Sequence, residues 1–430
     1  MMLRLRLACV AIVSGLGLLL MSIGCDREGD GSRQGGVVQL NVLMEPDPTG
    51  AWRELFTEFR RLHPKIQITA IEGPSATNTR EDLYVTSFLS GQTTYDLVFA
   101  DVVWIPKFAA AGWIEDLTDR WPAEQWNRFI RGSLVGGQYK GRIYRVPTHM
   151  EGGLLFYRSD LLAAAGESAP QTFEELVRIA KKLQNPDSLW GFVWQGKQYE
   201  GLVCDYLEIL AGHGGTWIDV ETGEVGLDSP PAIAALEFLC GCIDRWRISP
   251  PGVTTYTEEE SRQLFHTGRA VFLRSWPYAW ALSQRADSPV RGNVWMAPMP
   301  HAPGGQSAAT LGGWGFAITS SSPHKEEAWQ FIQYVSSLPQ LKRMHEAVGA
   351  WPALKEFYEK SEDPAVKAIY QVLQRTVPRP PVPQYAQASD ILQRYVSAAL
   401  TGRMSPEEAM QRAARETRLL LQTSTHRVTR

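Results

Sequence analysis

The stretch VVQLNVLMEPDPTGAWRELFTEFRRLHPKIQITAIEGPSATNTREDLYVTSFLSGQTTYDLVFAD, residues 37–101, decides the fold. Val37–Met44 reads as a strand. Trp52, Leu55, Phe56, Phe59 and Leu62 then recur at helical spacing, which predicts an amphipathic helix over Ala51–His63, closed by Pro64. Ile66–Ile71 alternates as a second strand and Arg80–Leu89 returns to helix. DLVFA (Asp96–Ala100) is the short apolar run of a strand buried on both faces, with Asp101 at its C-terminal end. A β-α-β-α-β order with short connections argues for an α/β fold, a parallel sheet covered by helices on both sides.

The same alternation continues outward. A helix is expected over Trp104–Gly112 and strands over Gly141–Pro147 and Leu154–Tyr157. Between those strands the polar, glycine-bearing THMEGG (Thr148–Gly153) suits a hinge or a cleft segment. Thr172-Phe173-Glu174-Glu175 is a capping box opening a helix, and Ser405-Pro406-Glu407-Glu408 is another. Trp190–Trp194, Val294–Met299 and Gly315–Ile318 read as strands. Tyr199–Ala211, Pro231–Trp246, Thr257–Thr267 and His324–Ser336 read as helices. From Asp363 to Leu421 the pattern is helical, broken by the extended link PRPPVP (Pro378–Pro383). A chain of 430 residues exceeds one ordinary core, so two lobes are expected.

Hydrophobic content of 44%, charged content of 21% and a net charge of −3 describe a globular body. Its dispersed arginines and lysines exclude a nucleic-acid partner. No GxxxxGK[ST] occurs, so ATP hydrolysis is not expected here. Cys/His spacing for a metal is absent, no cofactor is expected, and Cys204, Cys240 and Cys242 should be buried free thiols. At the N-terminus, Arg4 and Arg6 precede the uncharged run Leu7–Gly24, and Ser22-Ile23-Gly24-Cys25 resembles the bacterial lipobox. Serine stands there where leucine is usual. The expectation is a signal peptide over 1–24, lipidation of Cys25, a glycine-rich tether over 25–36, and an envelope location in the periplasm or on the outer face of the cytoplasmic membrane. An uncleaved anchor is the alternative.

AVFLRSWPYAW (Ala270–Trp280) draws attention to chemistry. Ala270–Leu273 reads as a buried strand ended by Arg274-Ser275, after which Trp276, Tyr278 and Trp280 alternate around Pro277. Rings at a strand end suit a ligand site in an open α/β sheet, and core packing is the equal alternative.

WGFVWQGKQYEGLVCD (Trp190–Asp205), FHTGRAVF (Phe265–Phe272), SWPYAW (Ser275–Trp280), ATLGGWG (Ala309–Gly315) and VPRPPVP (Val377–Pro383) resemble the trehalose/maltose-binding proteins of ABC importers. These belong to the larger family of extracellular sugar-binding lipoproteins. The resemblance spans essentially the whole mature chain. It implies a two-lobe periplasmic-binding-protein fold, each lobe a mainly parallel sheet flanked by helices, joined by a hinge of several crossings. Lobe one would hold 37–147 plus 300–349 and lobe two 148–299 plus 350–425. It further implies a monomeric, non-catalytic receptor. This would capture an α-linked glucoside (trehalose, maltose, sucrose or glucosylglycerol) and deliver it to the importer's membrane subunits.

By the same resemblance, Trp276 and Tyr278 are the aromatic pair at the sugar, Gly313 a backbone contact and Trp314 a second stacking ring. Asp101 is the acid at a strand end, and Arg80 and Arg379 are cleft arginines. Glu151 stands where relatives carry aspartate and His149 where they carry tyrosine. The imidazole adds an expected change of affinity between about pH 5.5 and 8. Glu45-Pro46-Asp47 should reach the cleft, and Gln195, Gln198 and Glu200 are polar candidates for the second lobe's face. Read without the resemblance, Arg80 and Arg379 are surface ion pairs, Asp101 is a helix cap and Trp314 is core. Two rivals stand beside the receptor: an exported glycoside hydrolase using Asp101 and Glu151, and a receptor for a peptide or polyamine.

Overall fold

A computed structural model describes residues 36–92 and 94–428. The expected signal, the Cys25 lipid site and the tether up to residue 35 lie outside the described residues. Two main sheets organise the body. The first runs in the order Thr376–Val377, Ala309–Ile318, Leu97–Asp101, Val38–Met44, Ile66–Glu72, and Val146–Gly152 also pairs with Ala309–Ile318. The strands of the opening stretch lie parallel, Val38–Met44 between Ile66–Glu72 and Leu97–Asp101.

Alternation along these strands explains why helices cover both faces. Leu43, Val98, Ala100 and Ala317 pack with Tyr84, Trp104 and Phe108, whereas Val42, Met44, Leu97, Phe99 and Phe316 pack with Trp52, Phe56, Phe59 and Phe331. Successive side chains of a strand point to opposite faces, so each strand feeds two cores. The Tyr84 hydroxyl donates to Leu43 O at 2.7 Å and accepts from Phe99 N–H at 3.2 Å. That bond fixes the helix Thr77–Leu89, which carries Arg80, to the sheet.

The second sheet runs Val294–Ala297, Leu154–Arg158, Ala270–Ser275, Trp190–Val193. Its single parallel pair joins Trp190–Val193 to Ala270–Ser275, and the other two pairs are antiparallel. The expected α/β two-lobe arrangement is therefore present, with strand directions more mixed than a mainly parallel sheet. The chain enters this sheet at Gly153 directly from Val146–Gly152 of the first sheet, and Leu154–Arg158 then lies antiparallel to both of its neighbours. The helices Glu200–Gly212 and Pro230–Ile243 pack on each other, and Tyr385–Leu400 and Pro406–Val428 pack against them.

Several expected boundaries move. THMEGG is mostly strand: Val146–Gly152 pairs with Ala309–Ile318 along its length, and the chain passes to the second sheet at Gly153. Gly315–Ile318 is the end of the longer strand Ala309–Ile318. Ala270–Ser275 keeps Arg274 inside the strand, because that guanidinium has buried acidic partners. Pro277 caps a helix, Tyr278–Ser283, so the aromatic alternation becomes helical. Trp280 consequently turns to Trp295, edge-on at 5.3 Å. Cys204, Cys240 and Cys242 are free and buried.

Candidate functional site

Residues of both sheets and the crossing segments line one cavity of about 820 Å³. Arg80 comes from the first turn of Thr77–Leu89, and Asp101 from the end of the central strand. His149 and Glu151 lie on Val146–Gly152, and Gly313 and Trp314 on Ala309–Ile318. Trp276 and Tyr278 follow the strand Ala270–Ser275, and Arg379 follows Thr376–Val377. All nine side chains and backbone positions singled out from the sequence meet at this cavity. Strand ends converge here because both sheets stop at the cleft, where open α/β sheets hold ligands.

The two tryptophans are held differently. The Arg274 guanidinium lies 4.2 Å from the centre of the Trp276 ring, and the indole N–H reaches Glu258 Oε1 at 3.3 Å. Trp314 is stacked with Phe99 at 5.1 Å and has the Arg80 guanidinium 4.7 Å over its ring. Each indole therefore carries a guanidinium over its ring, and Trp314, which also stacks on Phe99, is the more exposed of the two. Gly313 has φ +138°, and a side chain there would press on His149 O. Its carbonyl accepts from Arg145 Nη1 at 3.1 Å.

The charges are organised in pairs. Arg379 donates through Nη2 to Asp101 Oδ1 at 2.9 Å and through Nη1 to Glu200 Oε1 at 2.7 Å. Glu200 also accepts from the Tyr385 hydroxyl and from Ser389 Oγ at 2.6 Å. Burial works against the Arg379 charge, but Asp101 foremost, with Glu200, holds its pKa above the ordinary arginine value. Asp101 Oδ1 also accepts from Val103 N–H at 3.2 Å, in the turn ahead of the helix Ile105–Ala110, whose N-cap is Trp104, so Asp101 is not the cap of that helix. Arg80 donates to Pro74 O and Ser75 O and sits 3.6 Å from Glu45 Oε2. Burial lowers its pKa, with Glu45 and Asp101 pulling the other way. Among the described residues, neither Arg80 Nε nor Arg379 Nε finds an acceptor. Both arginines are buried, which replaces the surface-pair reading.

His149 and Glu151 depart from expectation in opposite senses. Burial first, then the neighbouring Arg145 charge, pushes the His149 pKa down to about 3. The imidazole is thus neutral across physiological pH, and the expected change of affinity between about pH 5.5 and 8 does not come from it. Burial, then the carboxylates of Glu45, Asp101 and Glu258, push Glu151 up to about 8, with Arg274 opposing. The pH-sensitive group of the cleft is the acid.

Sequence reasoning left out Tyr199, Glu258 and Glu259. The Tyr199 hydroxyl donates to Glu258 Oε2 at 2.7 Å, and the Tyr278 hydroxyl donates to Glu259 Oε1 at 3.3 Å. Their signal was ambiguous, because an acidic first turn after Thr257 is also what a helix start requires. Glu45, Gln198 and Glu200 line the cavity, but Gln195 is buried behind it, bonded to Ser261 and Arg274. Among the described residues no cluster suited to a metal occurs, and no helix is long and apolar enough to cross a membrane.

Residues 45–340 match the sequence profile of a family described as "Bacterial extracellular solute-binding protein". The chain belongs to that family. Among its members, the maltose-bound MalE3 of T. maritima is 40% identical and superposes with a TM-score of 0.83, covering 89% of this chain and 100% of that one. An ABC transporter solute-binding protein of Thermotoga lettingae, bound to alpha-D-tagatose, is 27% identical with a TM-score of 0.81 over 89% and 100% of the two chains. A Deinococcus radiodurans protein named "Probable ABC transporter-binding protein" is 32% identical over 357 residues, 80% of this chain and 84% of its own. The two-lobe fold is that of the maltose-binding proteins, and the chain is the solute-binding protein of an ABC sugar importer. Members of this extracellular family bind and release without chemistry, which sets the hydrolase aside. Asp101, one of that rival's two carboxylates, is committed to Arg379.

Proposed function

We propose that this solute-binding protein captures an α-linked glucoside of disaccharide size (trehalose, maltose, sucrose or glucosylglycerol) and passes it, as a monomer, to its importer's membrane subunits. The observation that carries the reading is the convergence of the Trp276 ring with Glu151, Asp101, Arg80 and Arg379 on one cavity. A pyranose offers a C–H face to an indole and a rim of hydroxyls to planar charged groups, and this lining supplies both. The maltose carried by its 40%-identical relative supports the choice of sugar. Hydrogen bonds to charged groups contribute about 1.5–3 kcal/mol each. A few of them, less the costs of association, reach roughly −8 kcal/mol, a micromolar receptor.

The test is a thermal-shift screen against trehalose, maltose, sucrose, glucosylglycerol, mannitol, ribitol and tagatose. A micromolar ligand at millimolar concentration stabilises by about 4 kcal/mol, a shift of several degrees. Shifts with polyols alone, or with none of the panel, overturn the α-glucoside reading. We further propose that Cys25 carries the lipid that holds the chain at the envelope, on the strength of Ser22-Ile23-Gly24-Cys25 following an uncharged run.

A further inference from the structure

Arg274 lies outside the cavity lining and is buried, yet it touches the ring that the proposed sugar would meet. Its guanidinium donates twice to Glu208, Nε to Oε2 at 2.7 Å and Nη2 to Oε1 at 2.6 Å, and once to Gln195 Oε1 at 3.0 Å. Asp205 Oδ1 stands 2.9 Å from Nε. A planar fork gripped at this many points cannot turn, so the face it shows to Trp276 at 4.2 Å is fixed. The Trp276 N–H bond to Glu258 then limits rotation of the indole in its own plane.

Glu208 reaches further. Its Oε1 also accepts from Thr310 N–H at 3.0 Å, at the start of the long strand Ala309–Ile318. Gly153, where the chain passes from the first sheet to the second, lies so close that a Cβ there would overlap the same carboxylate. One ion pair therefore meets the Trp276 ring, the start of Ala309–Ile318 and the crossing at Gly153.

We propose that Arg274 is a positioning residue for ligand binding, fixing the Trp276 indole as the sugar platform and, through Glu208, registering that platform on the hinge crossings. The inference rests on the reading of Trp276 as a ligand platform. A merely structural arginine would support the second lobe equally with or without the ring, and this separates the two roles.

The experiment is a double-mutant cycle of R274K, W276L and R274K/W276L on the purified full chain. Lysine keeps the charge but has no plane to stack. Near-ultraviolet circular dichroism of the ligand-free protein comes first: wild type minus W276L isolates the Trp276 band. The expected result is that R274K loses most of that band and that the double variant matches W276L. Calorimetry with maltose and trehalose follows. R274K should bind about three- to thirtyfold more weakly, and the double variant no more weakly than W276L alone. A full Trp276 band in R274K, or losses that simply add, overturns the proposal. If R274K does not fold, E208Q, which keeps the shape and one acceptor, enters the same cycle with the same two outcomes. If wild type binds no sugar, the α-glucoside reading fails, while the spectral cycle still decides the role of Arg274.

Discussion

Glu151→Gln should flatten the pH dependence of stability, and the size of the effect follows from the cleft. In the fold, burial and then the carboxylates of Glu45, Asp101 and Glu258 push Glu151 up to about 8, from an ordinary value of 4.5. Between those values the folded chain holds a proton that the unfolded chain has released. Stability must therefore fall as pH rises, by about 1.4 kcal/mol per pH unit for this group. The penalty is absent below about pH 4.5, reaches about 3 kcal/mol at pH 7 and levels off near 5 kcal/mol above pH 8. Glutamine has the same shape and no titration. Urea unfolding of wild type and E151Q, ligand-free, at half-unit steps across about pH 4.5–9, gives two curves whose difference cancels the other carboxylates. The difference should grow steadily in favour of E151Q and then plateau. Parallel curves would refute the reasoning, because Glu151 would then ionise in the fold as readily as in the open chain.

Three further outcomes are expected. Trp276→Ala should weaken maltose and trehalose binding by more than about tenfold while leaving a cooperative melt, since it removes one of the two indoles at the cavity; unchanged calorimetric affinity would take the ring out of the site. Gly153→Ala should cost about 3 kcal/mol or more in urea unfolding, because its Cβ must displace the Glu208 carboxylate from Arg274. A loss under about 1 kcal/mol would mean that the crossing has slack. Cys25→Ser should move the chain from the membrane to the soluble fraction and abolish labelling by a radioactive fatty acid; a membrane-bound, unlabelled C25S protein would point to the apolar N-terminal run as the anchor.

Much of this could be read from residues alone, and the misses have physical causes. The first sheet was legible because strands buried on both faces are continuous apolar runs, and DLVFA ends at an acid that the cleft uses. THMEGG (Thr148–Gly153), read as a hinge or cleft segment, does line the cavity through Thr148, His149 and Glu151, but the strand it forms went unread because a polar run suggests solvent. Its true signal was alternation: Thr148 and Met150 are buried while His149 and Glu151 are only partly so. The polar face looks into a ligand cavity, which imitates exposure. Arg274 was taken to end its strand because the acid that accommodates it lies 66 residues away. No local pattern announces a partner at that distance. The neutral state of His149 was hidden for another reason: it depends first on burial, which the sequence does not show, although Arg145 stands only four residues upstream.

The pairing of the cleft charges also bears on what can enter it. Asp101 and Glu200 share Arg379, Glu45 faces Arg80, and Glu258 is hydrogen-bonded by Tyr199 and Trp276. Glu151, without such a cation at hand, keeps its proton at neutral pH. An anionic solute would have to draw Arg80 or Arg379 from its carboxylate partners, leaving a buried charge uncompensated at about 3–5 kcal/mol. A neutral polyhydroxyl solute asks for no such exchange. Its hydroxyls can donate to carboxylate lone pairs without breaking a pair. The arrangement thus favours an uncharged sugar over an anionic solute for an electrostatic reason that is independent of any relative's ligand.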